Sequence, residues 1–332
     1  MHYKKRRATN IDKFTLRDAK ELVIKIKQLE NLSEQTIKSY KRIFIDLAKF
    51  FTFDVDVKQI TQQDVRAYIN WNLHEKILYE NSSRVKNEKG VSVSTLNNYL
   101  IVCRAIFNVL LDEQLVTENV FKKIPYLKED EEVIETLTID EINKLFNSFD
   151  KRSYVQFRNY VACHVMLDCF SRITETLNLR VDDIDFDKNS VTFKRTKGRK
   201  IRSVPLSLKT KRLLKELIKE NEVFDSDYLF VTIHGNKLND STLRKNLKDV
   251  AEKSGITKRI HSHIFRHTAS KFFLENRGSI RVLQLLLGHA SITTTERYAH
   301  VLNVTINEQH QEFSVVNKLT RVSKTRTNRK RK

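Results

Sequence analysis

Glycine and proline are scarce in this chain, 6 and 2 in 332 residues. Those residues supply tight turns, so their scarcity argues against a turn-rich β architecture and for helices with few sharp connections. Cysteine is scarce too: Cys103, Cys163 and Cys169 lie in apolar stretches with no metal-ligand spacing. That excludes a disulfide framework and a zinc cluster, and leaves small core residues suited to a reducing compartment. The start, Met1-His2-Tyr3-Lys4-Lys5-Arg6-Arg7, is basic but has no apolar run behind it. It is not a signal peptide, no later stretch approaches a membrane span, and a cytoplasmic location is expected.

Positive charge is what the chain has in excess. With 61 Lys+Arg against 41 Asp+Glu the formal net charge is +20 and the pI about 9.7. Such a field attracts polyanions, nucleic acid first among them. A hydrophobic content of 40% excludes a disordered basic protein, and the length allows two domains, each with its own core.

Apolar residues recur with helical period through the first half. Ser33 can cap a helix carrying Ile37, Tyr40, Ile43, Phe44, Leu47 and Phe50 on one face, and Thr61 can cap another carrying Val65, Tyr68, Ile69 and Leu73. A third starts at Ser94-Thr95 and presents Leu96, Tyr99, Leu100, Cys103, Ile106, Phe107 and Leu110. A short fourth helix is expected over residues 119–124. The polar stretch 81–90 is a loop, read equally well as a phosphate-tracking segment or as a solvated connection. Glu129, Asp130, Glu131, Glu132 and Glu135 gather after Pro125, a linker composition. The expected organisation is a basic N-terminal segment 1–30, a helical bundle 31–127, an acidic linker 128–136, a second domain 137–314 and a basic tail 315–332.

The second domain opens with the capping pattern Thr138-Ile139-Asp140-Glu141. Around Lys197-Gly198-Arg199 the flanks 190–196 and 200–206 alternate polar and apolar residues, which predicts a β-hairpin. Later Val282, Leu283, Leu285, Leu286 and Leu287 form an apolar helix stopped by Gly288, a residue suited to the left-handed position after a helix end. The fold class expected is mainly α with a small antiparallel β-sheet (α+β).

Six polar residues then stand in a telling order: Arg172, Lys197, His263, Arg266, His289 and Tyr298. Taken singly, any of them in so basic a chain would be an ordinary surface residue. Together, His263-Ile264-Phe265-Arg266, then Leu287-Gly288-His289, then Tyr298 nine positions on, resemble the H-x-x-R, L-G-H and tyrosine motifs of the tyrosine recombinase (phage integrase) family. The stretch from Arg172 through Leu179 to the Asp182-Asp183-Ile184-Asp185 ending is similar to the family's arginine helix.

The resemblance implies site-specific DNA strand exchange. Tyr298 would be the nucleophile forming a 3′-phosphotyrosine, and Arg172 and Arg266 would clamp the non-bridging oxygens. Lys197 would be the general acid, although Lys194, Arg195, Arg199 and Lys200 crowd the same hairpin. His263 would assist proton transfer at the tyrosine, and His289 would bond the phosphate. His261 and His267 are expected to cap or pack, and His300 to lie on a helix surface. No cofactor and no metal are expected. Partners would be double-stranded DNA gripped by a two-domain clamp, three further copies in a homotetramer on paired sites, and accessory DNA-bending proteins. The segment after Tyr298, with Val301, Leu302, Val304 and Phe313, could pack on its own domain or on a neighbouring subunit.

One position departs from the pattern. Family members commonly carry T-G-x-R, whereas this chain has Cys169-Phe170-Ser171-Arg172, with Phe where Gly is usual. Glycine there permits an unusual dihedral or a close approach, so Phe170 is expected to shift Arg172. That keeps a silent DNA-binding regulator open as an alternative; a type IB topoisomerase is a third reading.

The run 321–332 holds Arg321, Lys324, Arg326, Arg329, Lys330, Arg331 and Lys332 and no acid. Deleting it is expected to weaken non-specific duplex binding and flatten the salt dependence of affinity without changing site preference, because phosphate contacts position rather than specify. Binding isotherms at several salt concentrations check this; an unchanged slope would remove the tail from the interface.

Overall fold

The computed structural model describes residues 13–78, 88–129, 134–194, 201–296 and 298. The chain divides into two compact units, 1–132 and 133–332, the division falling inside the expected linker. Lys197, His300, most of the 81–90 loop, the apolar segment after Tyr298 and the basic tail lie outside the described residues.

The first unit is a helical bundle. Helix α2 (Glu34–Phe51) starts where Ser33 Oγ accepts the Thr36 amide at 3.2 Å, and it buries Ile37, Tyr40, Ile43, Phe44 and Leu47. Helix α3 (Gln62–Asn70) begins with a reciprocal Thr61/Asp64 capping box. The long helix α4 (Val93–Asp112) starts one turn-half earlier than its sequence signal, because Ser92 rather than Ser94 caps it. Contrary to the sequence expectation, this helix is long and apolar enough to cross a membrane by length and composition. Its Leu96, Leu100, Cys103, Ile106 and Leu110 are fully buried, however, which makes it the bundle's core helix.

Two expectations are corrected here. The segment 1–30 is not merely a basic lead: α1 (Leu16–Leu29) has its own capping box, Thr15 with Asp18, and sends Leu16, Ala19 and Val23 into the bundle core. Residues 119–124 form turns, not a helix. The Asn119 side chain takes the Phe121 and Lys122 amides at 3.1 and 3.2 Å, satisfying locally the donors a helix would use, and Pro125 blocks continuation.

The bundle also buries charge. Asp46 accepts from Tyr68 Oη at 2.6 Å and pairs with Lys76, whose Nζ also donates to Asn72 Oδ1 at 3.0 Å. Asn72 and the π-helical turn Trp71–Glu75 bring the lysine back toward α2. Removal of either charge would strand the other away from water.

In the second unit α5 (Ile139–Asn147) opens with the Thr138/Glu141 capping box, and α6 (Tyr154–Asp168) runs through the core with a buried stretch from Phe157 to Met166. After the short α7 (Ile173–Leu177) come β1 (Ile184–Asp185), β2 (Ser190–Phe193) and β3 (Arg202–Pro205), an antiparallel sheet in the order β1-β2-β3. The register pairs Ser190 with Pro205 and Phe193 with Arg202, placing Val191, Phe193 and Val204 inward. Helices α8 (Leu208–Asn221) and α9 (Asp240–Ser254) follow, then α10 (Ser262–Glu275), which packs on α6, α11 (Ile280–Leu287) and α12 (Thr293–Glu296). Gly288 ends α11 at φ 64° in the left-handed region, as its sequence position suggested.

Candidate active site

Helix α6 ends at Asp168, and the chain turns through Cys169, Phe170 and Ser171 before Arg172 caps α7. Ser171 Oγ and Thr176 Oγ1, 2.6 Å apart, tie this turn to the helix it feeds. Phe170 sits at φ 53°, a left-handed conformation that glycine adopts freely and a side chain adopts under strain. At the position where T-G-x-R carries glycine, Phe thus takes up a backbone conformation suited to glycine. The ring lies in an apolar cluster with Ala269, Leu274, Leu283, Leu287 and Tyr298 and meets Phe273 edge-on at 5.8 Å. The Phe170 carbonyl accepts from Arg266 Nη1 at 2.7 Å.

Glu175, one turn into α7, is 3% exposed and is shared by two arginines. Arg172 Nη1 donates to Oε1 at 2.8 Å, while Arg202 from β3 donates to Oε1 at 3.2 Å and to Oε2 at 2.7 Å. Burial alone would raise the carboxyl; the Arg202 hydrogen bonds and charge, with help from Arg172, outweigh it and bring the pKa down to about 2. Arg202 also donates through Nε to the Leu286 carbonyl at 3.0 Å and lies over the Phe193 ring. It passes so close to Gly288 that a Cβ there would meet its Cδ at 3.1 Å. One buried arginine thus fixes β3, α7 and the end of α11 together.

Arg266, on α10, is 4% exposed. Its guanidinium donates to the carbonyls of Phe170 and Leu287 (2.8 Å) and to His289 Nε2 at 2.9 Å, all neutral acceptors. Burial, and then the nearby Arg172 charge, pull its pKa down to about 9. An arginine only donates, so His289 Nε2 is an acceptor and the ring proton belongs on Nδ1, facing Thr295 Oγ1 at 2.8 Å. Thr295 is fully buried, and its carbonyl takes the Tyr298 amide at 3.0 Å. The nine-residue spacing from His289 to the tyrosine is therefore a compact return: out of α11, through α12, and back to Arg266.

His263 reaches the surface one turn before His267, their rings 6.3 Å apart. Desolvation, followed by His261, Arg266, Arg244 and Arg172, lowers its pKa, which favours the neutral ring. His261 occupies the N-cap of α10 without a capping side-chain bond. The departure from the sequence reading is His267. Expected to cap or pack, it instead meets the Tyr298 hydroxyl, Nδ1 to Oη 2.6 Å. Its position directly after Arg266 was the available signal: neighbours on a helix face about 100° apart, so one can turn toward the Phe170 and Leu287 carbonyls and the next toward the tyrosine. Glu175 and Arg202 were missed as well, since a charged residue in a basic chain is read as surface. Arg172, His263, Arg266, His289 and Tyr298 thus share one neighbourhood, coupled by hydrogen bonds or charge.

Two outcomes follow from this geometry. For Phe170→Gly, relief of backbone strain is worth about 1 kcal/mol, whereas loss of a buried ring costs about 3 kcal/mol or more. The variant is therefore expected to be less stable by roughly 2 kcal/mol in chemical denaturation; a gain in stability would show that strain outweighs packing. Glu175 has a depressed pKa in the fold, so its stabilisation is present above the ordinary value of 4.5 and is lost as pH falls through about 2. Across that window the wild type is expected to lose roughly 3 kcal/mol more than Glu175→Gln. Parallel pH–stability curves for the two proteins would contradict the assignment.

Residues 135–304 match the phage integrase family, and residues 20–117 match the phage integrase N-terminal SAM-like domain. The tyrosine recombinase XerD of Listeria monocytogenes (strain F2365) is 26% identical over 296 residues, covering 85% of this chain and 93% of the relative. The tyrosine recombinase XerC of Anoxybacillus flavithermus is 29% identical over 293 residues, covering 84% and 92%. In fold the chain is similar to the Tn1549 transposon integrase in complex with transposon right end DNA (TM-score 0.73, 19% identity, 91% of this chain and 100% of that one). It is likewise similar to lambda integrase in a tetramer bound to a Holliday junction (TM-score 0.66, 16% identity, 88% and 83%). With its catalytic-domain match spanning more than half its length and the arginine, L-G-H and tyrosine motifs gathered in one unit, the chain belongs to the phage integrase family.

Proposed function

We propose that this protein is a site-specific DNA recombinase that breaks and rejoins strands through a 3′-phosphotyrosine at Tyr298. The observation that carries this reading is a buried Arg266 whose bonded acceptors are all neutral and whose charge is felt by Tyr298, the tyrosine held by its neighbour His267. A DNA phosphate entering there would supply the negative charge that the site's own acceptors do not.

In the reaction Tyr298 Oη bonds to phosphorus and the bond to the 5′ oxygen breaks. Arg172, held by Glu175, and Arg266, held by Phe170, Leu287 and His289, donate to the non-bridging oxygens as charge builds on them. Planar guanidiniums suit this because they donate in parallel pairs. Lys197, which lies in sequence between β2 and β3, protonates the leaving oxygen. The phosphotyrosine conserves the bond energy, so a 5′ hydroxyl from another strand can reverse the step without a nucleotide. Four copies on two paired duplexes would exchange strands, with DNA-bending proteins where sites must be folded together, and the reaction would take place in the cytoplasm.

The test is a nicked duplex carrying a site selected by the protein from a random pool. Wild type is expected to form a covalent adduct in EDTA without nucleotide, and Tyr298→Phe to form none while binding with nearly unchanged affinity. Tight binding without adduct under all conditions would identify a silent regulator. An adduct in Tyr298→Phe would move the nucleophile elsewhere.

A further inference from the structure

We propose that His267 is a catalytic residue: the base that removes the Tyr298 proton as the tyrosine attacks, and the acid that returns it when the strand is rejoined. The proposal rests on Tyr298 being the nucleophile.

Geometry carries it. His267 Nδ1 lies 2.6 Å from Tyr298 Oη, inside the range a general base needs before any movement of either group. The two rings are tilted at 51° with centroids 5.8 Å apart, so the contact is made edge-on by the nitrogen rather than by stacking. Both partners are anchored independently. His267 is held by the α10 backbone, between Arg266 and the fully buried Thr268. Tyr298 is 3% exposed, its ring packed against Phe170, Leu283 and Leu287 and its amide bonded to Thr295.

The other two histidines of the site are less suited to this proton. His289 has both ring nitrogens engaged, Nε2 by Arg266 and Nδ1 by Thr295, so it could accept a proton only by releasing the arginine. His263 opens to the surface, a helical turn away from His267. For Nδ1 to accept, the neutral His267 ring carries its hydrogen on Nε2.

The step balances. The Oη–H bond breaks and its proton passes to Nδ1. The Oη–P bond forms as the P–O5′ bond breaks, and the 5′ oxygen takes a proton from the general acid. In the return direction the 5′ hydroxyl gives its proton back to the general acid as its oxygen bonds to phosphorus, the Oη–P bond breaks, and the imidazolium gives its proton to the departing phenolate. No oxidant, reductant or metal enters the balance.

His267→Asn places an amide oxygen near the position of Nδ1, so it can keep a hydrogen bond to the phenol but cannot take its proton. Single-turnover adduct formation is followed on the selected nicked duplex with a 5′-bridging sulfur, whose departure needs no general acid, so only proton removal is interrogated. His267→Asn is expected to slow adduct formation by about 100-fold or more, in the range general-base catalysis supplies, with duplex affinity within about twofold of wild type. Installing a fluorinated, more acidic tyrosine at position 298 in that variant is expected to recover about tenfold or more, because an acidic phenol needs less help.

Wild-type rates in His267→Asn would overturn the proposal. So would equal losses of affinity and adduct, or a loss that phenol acidity does not relieve, since each marks His267 as structural. Failure of the underlying reading shows differently: wild type would give no adduct, or Tyr298→Phe would still give one.

Discussion

The second unit depends on a buried guanidinium. Arg266 is bonded by two backbone carbonyls and an imidazole, and burial of a cation among neutral groups is costly unless something charged completes it. Each acceptor is delivered by a chain feature with a local cause. The Phe170 carbonyl comes from a left-handed residue after α6, the Leu287 carbonyl from the end of α11, and His289 from just beyond the glycine that stops that helix. If Arg266 moved, three elements would lose their common anchor. Its lowered pKa and the Arg172 charge beside it describe a site electrostatically incomplete without an anion.

Arg202 and Glu175 provide the complementary constraint. Their pair is dry and closely bonded, and it holds Arg172 in place without consuming the charge of Arg266. A carboxylate beside Arg266 would have stabilised the free protein at the expense of the phosphate. Nature's arrangement here places the acid under Arg172 and Arg202 and leaves Arg266 to neutral acceptors. Phe170 fits the same logic: its strained backbone aims a carbonyl at Arg266 while its ring supports the cluster that seats Tyr298.

Legibility from sequence followed the range of the physics. Helix starts at Ser33, Thr61 and Thr138 were readable because a capping side chain acts within three residues. The same signal, Thr15 with Asp18, was present for α1 and was overlooked amid the flanking basic residues. Residues 119–124 misled because Asn119 diverts amides that periodicity assigns to a helix. Strands β2 and β3 were readable from alternation, unlike the two-residue β1, and Arg172, Arg266, His289 and Tyr298 from motif order. The His267 contact spans 31 positions in sequence and depends on α12 folding back, which no local pattern encodes. Arg202 and Glu175 were hidden for a related reason, since only the packed sheet shows that these charges face inward.

The account turns on Arg266 being a cation short of its counter-charge until DNA arrives, and the direct measurement is its titration by nitrogen-15 NMR of the guanidinium. The expected result is a guanidinium in the free protein that gives up its proton more readily than the surface arginines, with a clear upward displacement when the selected duplex is bound. An Arg266 that titrates with the ordinary surface arginines, unaffected by duplex, would contradict the claim that the site is built around a charge awaiting a phosphate.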